Sequence, residues 1–284
     1  MAGLLSGLTG LGLDHLENVD IFAQEEKKAD KTAESSKEIP RVEEKDLIYD
    51  RAFECPVCDM NFQAKIMKSG KAKLLGTDMD LRPRYEGIDS VKYDVILCPR
   101  CGYAALNRYF GSMSAGQVKL IKENISRSIH LHTFHDEIYT YEEALERYKV
   151  CLANAVVKHA KASEKAYICL RSAWLLRGYA ESLEAEKKPD TEKIKALKAE
   201  EEAYLQNALG GFAEARQNES YPMCGMDENT VDYLLAVLAT RFEKYEVASK
   251  LVGSILTSAS ANARMKERTR ELKEQILEGM RKQR

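Results

Sequence analysis

This 284-residue sequence lacks any apolar run near the roughly 18 residues that cross a bilayer. It also lacks an excess of charge of one sign. The formal net charge of −2 gives no long-range field toward nucleic acid or an anionic membrane. We find no phosphate-binding glycine loop, no Ser/His/Asp arrangement and no HExxH motif. These absences argue against the common nucleotide-binding and hydrolytic classes, and we therefore expect a protein that is not an enzyme.

The first 13 residues are apolar, but they lack a basic leading region and are interrupted by glycines. This composition argues against a secretory signal. Ala2, and not glycine, follows Met1, which argues against N-myristoylation. We expect a cytoplasmic protein without a membrane span.

The seven cysteines are not expected to form disulfides, because the cytoplasm keeps thiols reduced. Four of them form two C-x-x-C pairs, Cys55 with Cys58 and Cys98 with Cys101. This spacing lets two sulfurs from one tight turn reach the same tetrahedral ion. The two pairs predict one zinc site with these four cysteines as ligands. Four thiolates leave no open coordination position, so the zinc is expected to be structural; a thioredoxin-like redox role would suit a single pair that opens a helix.

Five segments of the sequence are distinctive: Arg82–Ile88, Tyr93–Val95, Cys98–Ala105, Ala173–Arg177 and Pro222–Asp227. They resemble a bacterial family, domain of unknown function 2225, whose members are found largely in Firmicutes. The resemblance covers roughly residues 47–270. It implies a paired-cysteine region followed by helices and leaves the function open, because the family has no established activity.

The sequence divides into four regions and predicts an α+β fold. These are an apolar N-terminal segment (1–22), a polar flexible linker (23–46), a zinc-ribbon-like domain (47–111) and a helical repeat-like domain (112–284). The linker is almost wholly polar and cannot bury enough apolar area to offset the entropy of ordering. The leucine-rich segment before it is either a disordered tail or a tethered segment that docks in a helical groove, in cis or in trans.

The zinc-ribbon-like region is predicted to contain a hairpin. Phe62, Ala64 and Ile66 alternate with polar residues, a turn follows at Ser69-Gly70, and the alternation resumes at Ala72 and Leu74. A second strand is predicted over 93–97, leading directly into Cys98.

In the helical region, Thr140, Ser163 and Asp227 are predicted to cap helices. A weak internal repeat suggests tetratricopeptide-like helix pairs. Its two copies are Tyr141, Ala144, Tyr148 and Cys151, and Tyr245, Ala248, Val252 and Ile255.

A lysine-rich stretch provides the alternative function, a nucleic-acid-associated zinc protein. The residues that favour it are Lys65, Lys68, Lys71 and Lys73 on the predicted hairpin, with Arg82, Arg84, Tyr85 and Tyr93 after it. Against it, residues 47–111 contain 10 Lys/Arg and 8 Asp/Glu, and a zinc tetrathiolate adds about −2. A solvated hairpin face is the plainer interpretation.

Two further groups of residues have open roles. His130, His132 and His135 could form a second metal site, or could only be favoured near a helix C-terminus. Cys224 lies in a loop and could be reactive, whereas Cys151 and Cys169 are predicted core residues. The function that we predict from the sequence is a protein–protein interaction scaffold with an unidentified protein or peptide partner.

Overall fold

Six short strands form three antiparallel pairs in the computed structural model, which describes residues 43–111, 113–131 and 137–283. The strands are β1 (Ile48–Glu54), β2 (Asn61–Met67), β3 (Leu74–Thr77), β4 (Pro83–Tyr85), β5 (Val95–Leu97) and β6 (Ala104–Leu106). Each pair joins strands that follow one another in the chain: β1 with β2, β3 with β4, and β5 with β6.

The α-helices of the described residues follow the strands, so the predicted α+β fold is confirmed. They are α1 (Ala115–Ile121), α2 (Tyr141–Val157), α3 (Ala162–Glu184), α4 (Thr191–Asn218), α5 (Glu228–Arg241), α6 (Tyr245–Thr257) and α7 (Ala263–Lys282). Thr140 and Asp227 accept hydrogen bonds from the third amide of α2 and α5, as predicted. None of these helices combines the length and apolar character that a transmembrane span requires.

Two local predictions are wrong. The strand with Phe62, Ala64 and Ile66 pairs with β1, which precedes it, and not with Ala72 and Leu74. The alternation correctly predicts the buried face of β2, but alternation does not specify the partner strand. Ser163 does not cap α3, because the helix begins one residue earlier and the Ser163 hydroxyl donates to Glu219 at 2.5 Å.

Strands β5 and β6 share a hydrophobic core with the helices, whereas the buried face of β2 belongs to a second cluster that contains the cysteines. Val91, Val95, Ala104 and Leu106 are buried in the same cluster as the inward faces of α2 to α7. The domain boundary at residue 111 stays a prediction. In the structure, residues on both sides of it pack into the same core. The apolar segment 1–22 and most of the linker lie outside the described residues. Residues 43–46, its last four, belong to the fold: Glu44 pairs with Lys92 at 2.6 Å.

Candidate metal centre

The two C-x-x-C pairs meet as one four-cysteine cluster (Cys55, Cys58, Cys98 and Cys101). Their four sulfurs all lie within 4.8 Å of one another. The Sγ atoms of Cys55 and Cys101 are 3.5 Å apart, and those of Cys58 and Cys98 are 3.6 Å apart. Four sulfurs placed about 2.3 Å from a tetrahedral ion would be separated by about 3.8 Å. The cluster therefore fits a single metal ion, and all four residues are free cysteines.

Each pair lies on a tight loop between two paired strands. In both loops the amide of the first cysteine donates a hydrogen bond to the carbonyl five residues later: Cys55 to Met60 at 3.0 Å and Cys98 to Tyr103 at 2.9 Å. The residue four places after that cysteine has a left-handed backbone, Asp59 at φ 57° and Gly102 at φ 71°. The two loops are thus local copies of one another, and each presents its two sulfurs to the same point.

The cluster is nearly closed to solvent. Cys55 and Cys98 are fully buried, Cys101 is 5% exposed, and only Cys58 is half-buried. Hydrogen bonds from the Cys101 and Cys55 thiols lower the pKa of Cys98 to about 2. For Cys101 the effect is opposite, because hydrogen bonds with Cys55 and Cys98, together with burial, raise its pKa. Without a cation, the four sulfurs can share only part of the negative charge that four thiolates would carry. A bound cation is what allows all four to ionise together.

Comparison with known proteins bears on this centre. The family described as "uncharacterized protein conserved in bacteria" matches residues 48–276, a range that includes all four cysteines and most of the helices. The chain belongs to the DUF2225 family. This confirms the resemblance noted from the sequence.

The chain is also similar to an uncharacterized protein of Borreliella burgdorferi, to which it is 24% identical over 99 residues. That alignment covers 32% of this chain and 36% of the relative, so only about a third of the relative's length is matched. No solved structure gives a significant match. Membership of DUF2225 and similarity to this relative therefore assign no activity to the chain.

Helix α2 supports the second loop of this DUF2225 cluster through a buried amide. The Asn154 side chain is fully buried and its Nδ2 donates to the Gly102 carbonyl at 3.0 Å. Asn154 was not predicted from the sequence. The signal available there is a polar residue on the apolar face of α2, between Cys151 and Ala155, because a buried polar side chain usually has a hydrogen-bond partner.

The two left-handed positions give a testable contrast. A Cβ at Gly102 would lie 2.6 Å from Cδ1 of Ile129, so Gly102→Ala adds a clash to backbone strain. We expect this variant to lose about 2 kcal/mol of unfolding free energy. Asp59→Gly is expected to change it by less than about 1 kcal/mol, because glycine adopts this backbone freely. Urea denaturation of both variants checks this, and equal losses would contradict the loop description.

The cysteines outside the cluster are buried. Cys224 is 8% exposed, its Sγ lies 3.3 Å from the Ser163 carbonyl, and burial raises its pKa. A protonated, buried thiol is a poor nucleophile, which argues against the reactive role considered for Cys224. Cys151 and Cys169 are core residues, as predicted.

The buried thiols are expected to make the protein less stable as the pH rises into the alkaline range. Burial raises the pKa of Cys169 from 9.0 to about 11. A group with a raised folded-state pKa stabilises the protein fully below its unfolded value and loses that contribution as the pH rises. Between about pH 9 and 10.5 we expect the wild type to lose about 1.5 kcal/mol more than Cys169→Ala. Urea denaturation at both pH values tests this, and parallel losses in the two proteins would contradict it.

The other sites considered from the sequence involve the histidines and the lysines. His130 is exposed, and His132 and His135 lie outside the described residues. The four lysines are spread over β2 and the chain after it: Lys65 pairs with Asp50 at 3.3 Å, and the Lys68 ammonium donates to the Asp46 carbonyl at 2.9 Å. Lys71 and Lys73 are exposed.

Of the basic and aromatic residues after the lysines, Arg82 and Tyr93 face inward, whereas Arg84 is exposed. Arg82 is 5% exposed and contacts Asp89 at 3.4 Å and Glu181 at 3.0 Å. Tyr93 is 2% exposed and stacks on Tyr139 with 5.3 Å between ring centroids. These side chains are committed to the fold, so less of the predicted nucleic-acid surface is available than the sequence suggests. Nucleic-acid binding stays a prediction.

Proposed function

We propose that the four-cysteine cluster holds one structural zinc ion in a zinc-ribbon-like head. The support is chemical: a tetrahedral set of four thiolates favours zinc or iron, and zinc is the usual occupant of closed structural sites. The four sulfurs would hold the ion in a position with no room for a fifth ligand, since three of the cysteines are almost fully buried. The ion would therefore join two loops of the chain and take no part in a reaction.

We further propose that the helices form a tetratricopeptide-like scaffold. The two copies of the internal repeat occupy equivalent positions, because Tyr141 and Tyr245 are the first residues of α2 and α6. The small residue three places later is fully buried in both helices, at Ala144 and Ala248. Small residues at this spacing let a neighbouring helix pack closely, which is the basis of stacked helix pairs.

A groove between α2, α3 and α4 carries the functional proposal. It has a volume of about 680 Å³ and a mainly apolar lining, with Leu152, Val156 and Tyr204 among its walls. Gly211 lets α3 and α4 approach, since a Cβ there would lie 2.9 Å from that of Ala166. Gly210 also lines the groove, and a Cβ added there would have no atom within 4 Å.

The groove exposes apolar surface to solvent, since Val156 in its wall is 55% exposed. Grooves of this size hold a few apolar side chains of a ligand. The proposed function is that of a cytoplasmic, non-enzymatic scaffold which binds an apolar peptide segment of a partner protein.

The experiment is selection of displayed peptides on the full chain, followed by measurement of their affinity for two variants. Gly210→Arg places a long charged side chain in the groove at an open helical position. Gly253→Arg makes the same change at an open glycine of α6, away from the groove. We expect Gly210→Arg to weaken the selected peptides at least about tenfold and Gly253→Arg to leave them unchanged. Equal binding to both variants would contradict the proposal.

A further inference from the structure

A second cavity lies where the turn after β6 meets α3. Its volume is about 250 Å³. The residues that line it supply one carboxylate (Asp94), two guanidinium groups (Arg108 and Arg171), an amide (Asn107), a phenol (Tyr167) and an apolar side chain (Leu106). It is separate from the metal centre and from the apolar groove.

Two arginines share one aromatic ring in this cavity. The guanidinium carbons of Arg171 and Arg108 lie 5.3 and 5.8 Å from the centroid of the Tyr167 ring. Two guanidinium groups that contact the same ring repel one another unless anions balance their charges. Arg171 contacts the Asp94 carboxylate, whereas Arg108 donates to the neutral carbonyl of Cys224. One acid against two bases leaves the lining with a net formal charge of about +1.

The neighbouring acids are already paired with other cations. Glu164 is paired with Lys158 at 2.7 Å, and Asp89 is paired with Arg82 at 3.4 Å. Asp94 itself also accepts a hydrogen bond from the Tyr148 hydroxyl at 3.3 Å. Its negative charge is thus already shared between two donors.

The same region has more donors than acceptors. The Arg171 side chain is only 13% exposed, and its Nε has no hydrogen-bond partner in the described residues. The indole Nε1 of Trp174, whose ring lies 5.3 Å from the Arg171 guanidinium carbon, is also buried without a partner there. Burial lowers the pKa of Arg171 to about 10, and the negative charge of Asp89 offsets this effect only in part.

We propose that this cavity binds the phosphate group of a small anionic ligand between Arg108 and Arg171. An oxyanion supplies the negative charge that the lining lacks and accepts hydrogen bonds from its guanidinium groups. A guanidinium group can donate two parallel hydrogen bonds to phosphate oxygens. Two guanidinium groups also match the charge of a phosphate dianion better than that of a singly charged carboxylate ligand. Arg108 and Asn107 are exposed at the mouth, so a ligand can enter without opening the core.

The test is calorimetric titration of the full chain with inorganic phosphate, with acetate as the carboxylate comparison. We expect saturable one-to-one binding of phosphate and much weaker binding of acetate. Arg108→Gln removes one guanidinium and is expected to weaken phosphate at least about tenfold. Asn107→Asp adds a negative charge at an exposed position and is expected to do the same by repulsion.

The matched control is Arg264→Gln, which removes an exposed arginine from α7 and should leave phosphate affinity unchanged. Gly210→Arg, which alters the apolar groove, should also leave it unchanged, so this proposal and the peptide proposal fail separately. Two results would overturn the phosphate site: no saturable binding up to about 10 mM phosphate, or affinities of Arg108→Gln and Asn107→Asp equal to the wild type. An equal loss in Arg264→Gln would show non-specific charge and overturn it as well.

Discussion

Replacement of Cys98 by serine is expected to release the metal ion and to lower the unfolding free energy by about 4 kcal/mol or more. Cys98 is fully buried, and its sulfur lies 3.6 Å from that of Cys58. A serine hydroxyl is a poor ligand for a thiolate-preferring ion, and the remaining three sulfurs would face one another without a cation. The measurements are metal content after gel filtration and urea denaturation of the purified variant.

The loss should extend beyond the cysteine loops. Val95 and Ala104, on the strands that carry the second loop, are buried in the core that they share with the helices. We therefore expect a single unfolding transition at lower urea concentration. Cys169→Ala is the matched control, since it removes a buried thiol outside the cluster and should keep full metal content. A Cys98→Ser protein with wild-type metal content and stability would contradict the four-thiolate site.

Gly178→Ala is expected to cost about 3–4 kcal/mol, the second largest effect. Gly178 lies on α3 against a buried ion cluster. A Cβ there would be 2.2 Å from Oδ2 of Asp89, 2.8 Å from Nη2 of Arg82 and 3.1 Å from the Tyr141 hydroxyl. Asp89 would have to move away from its partners, leaving the buried Arg82 guanidinium poorly compensated. Urea denaturation measures the loss.

Gly253→Ala controls for the general effect of replacing a helical glycine. This position on α6 has nothing within 4 Å of an added Cβ. Alanine there is expected to stabilise the protein by about 0.5–1 kcal/mol, because glycine carries an entropic cost in helices. If Gly178→Ala also left stability unchanged or raised it, the close approach of α3 to the ion cluster would be wrong.

The parts of the fold that depend on neighbours in sequence were predictable. The C-x-x-C spacing encodes a tight loop, so the sequence indicated the four cysteines without any knowledge of the fold. Thr140 and Asp227 encode helix starts for the same local reason. The α+β order follows from where the period of apolar residues changes.

The parts that depend on distant residues were not predictable. The alternation at Phe62, Ala64 and Ile66 defines one face of a strand, yet the strand pairs across the first cysteine loop and not across Ser69-Gly70. Arg82 looked like a nucleic-acid contact because its partner Glu181 is 99 residues away. No local pattern distinguishes an arginine that faces solvent from one that is neutralised by a distant helix.

The same limit applies to the left-handed position of the first loop. The left-handed position of the second loop is a glycine, Gly102, which adopts such a backbone freely, but Asp59 occupies the equivalent position in the first. Aspartate adopts this conformation more often than most residues, but it has many other roles in loops. The equivalence of the two loops became visible only from their matching backbone hydrogen bonds.

X-ray absorption spectroscopy of the purified protein tests the central claim most directly, because it reports the identity of the metal and its ligands together. The account predicts one zinc per chain, bound by four sulfurs at about 2.3 Å. A protein without bound metal, or a bound ion with nitrogen or oxygen among its ligands, would contradict it.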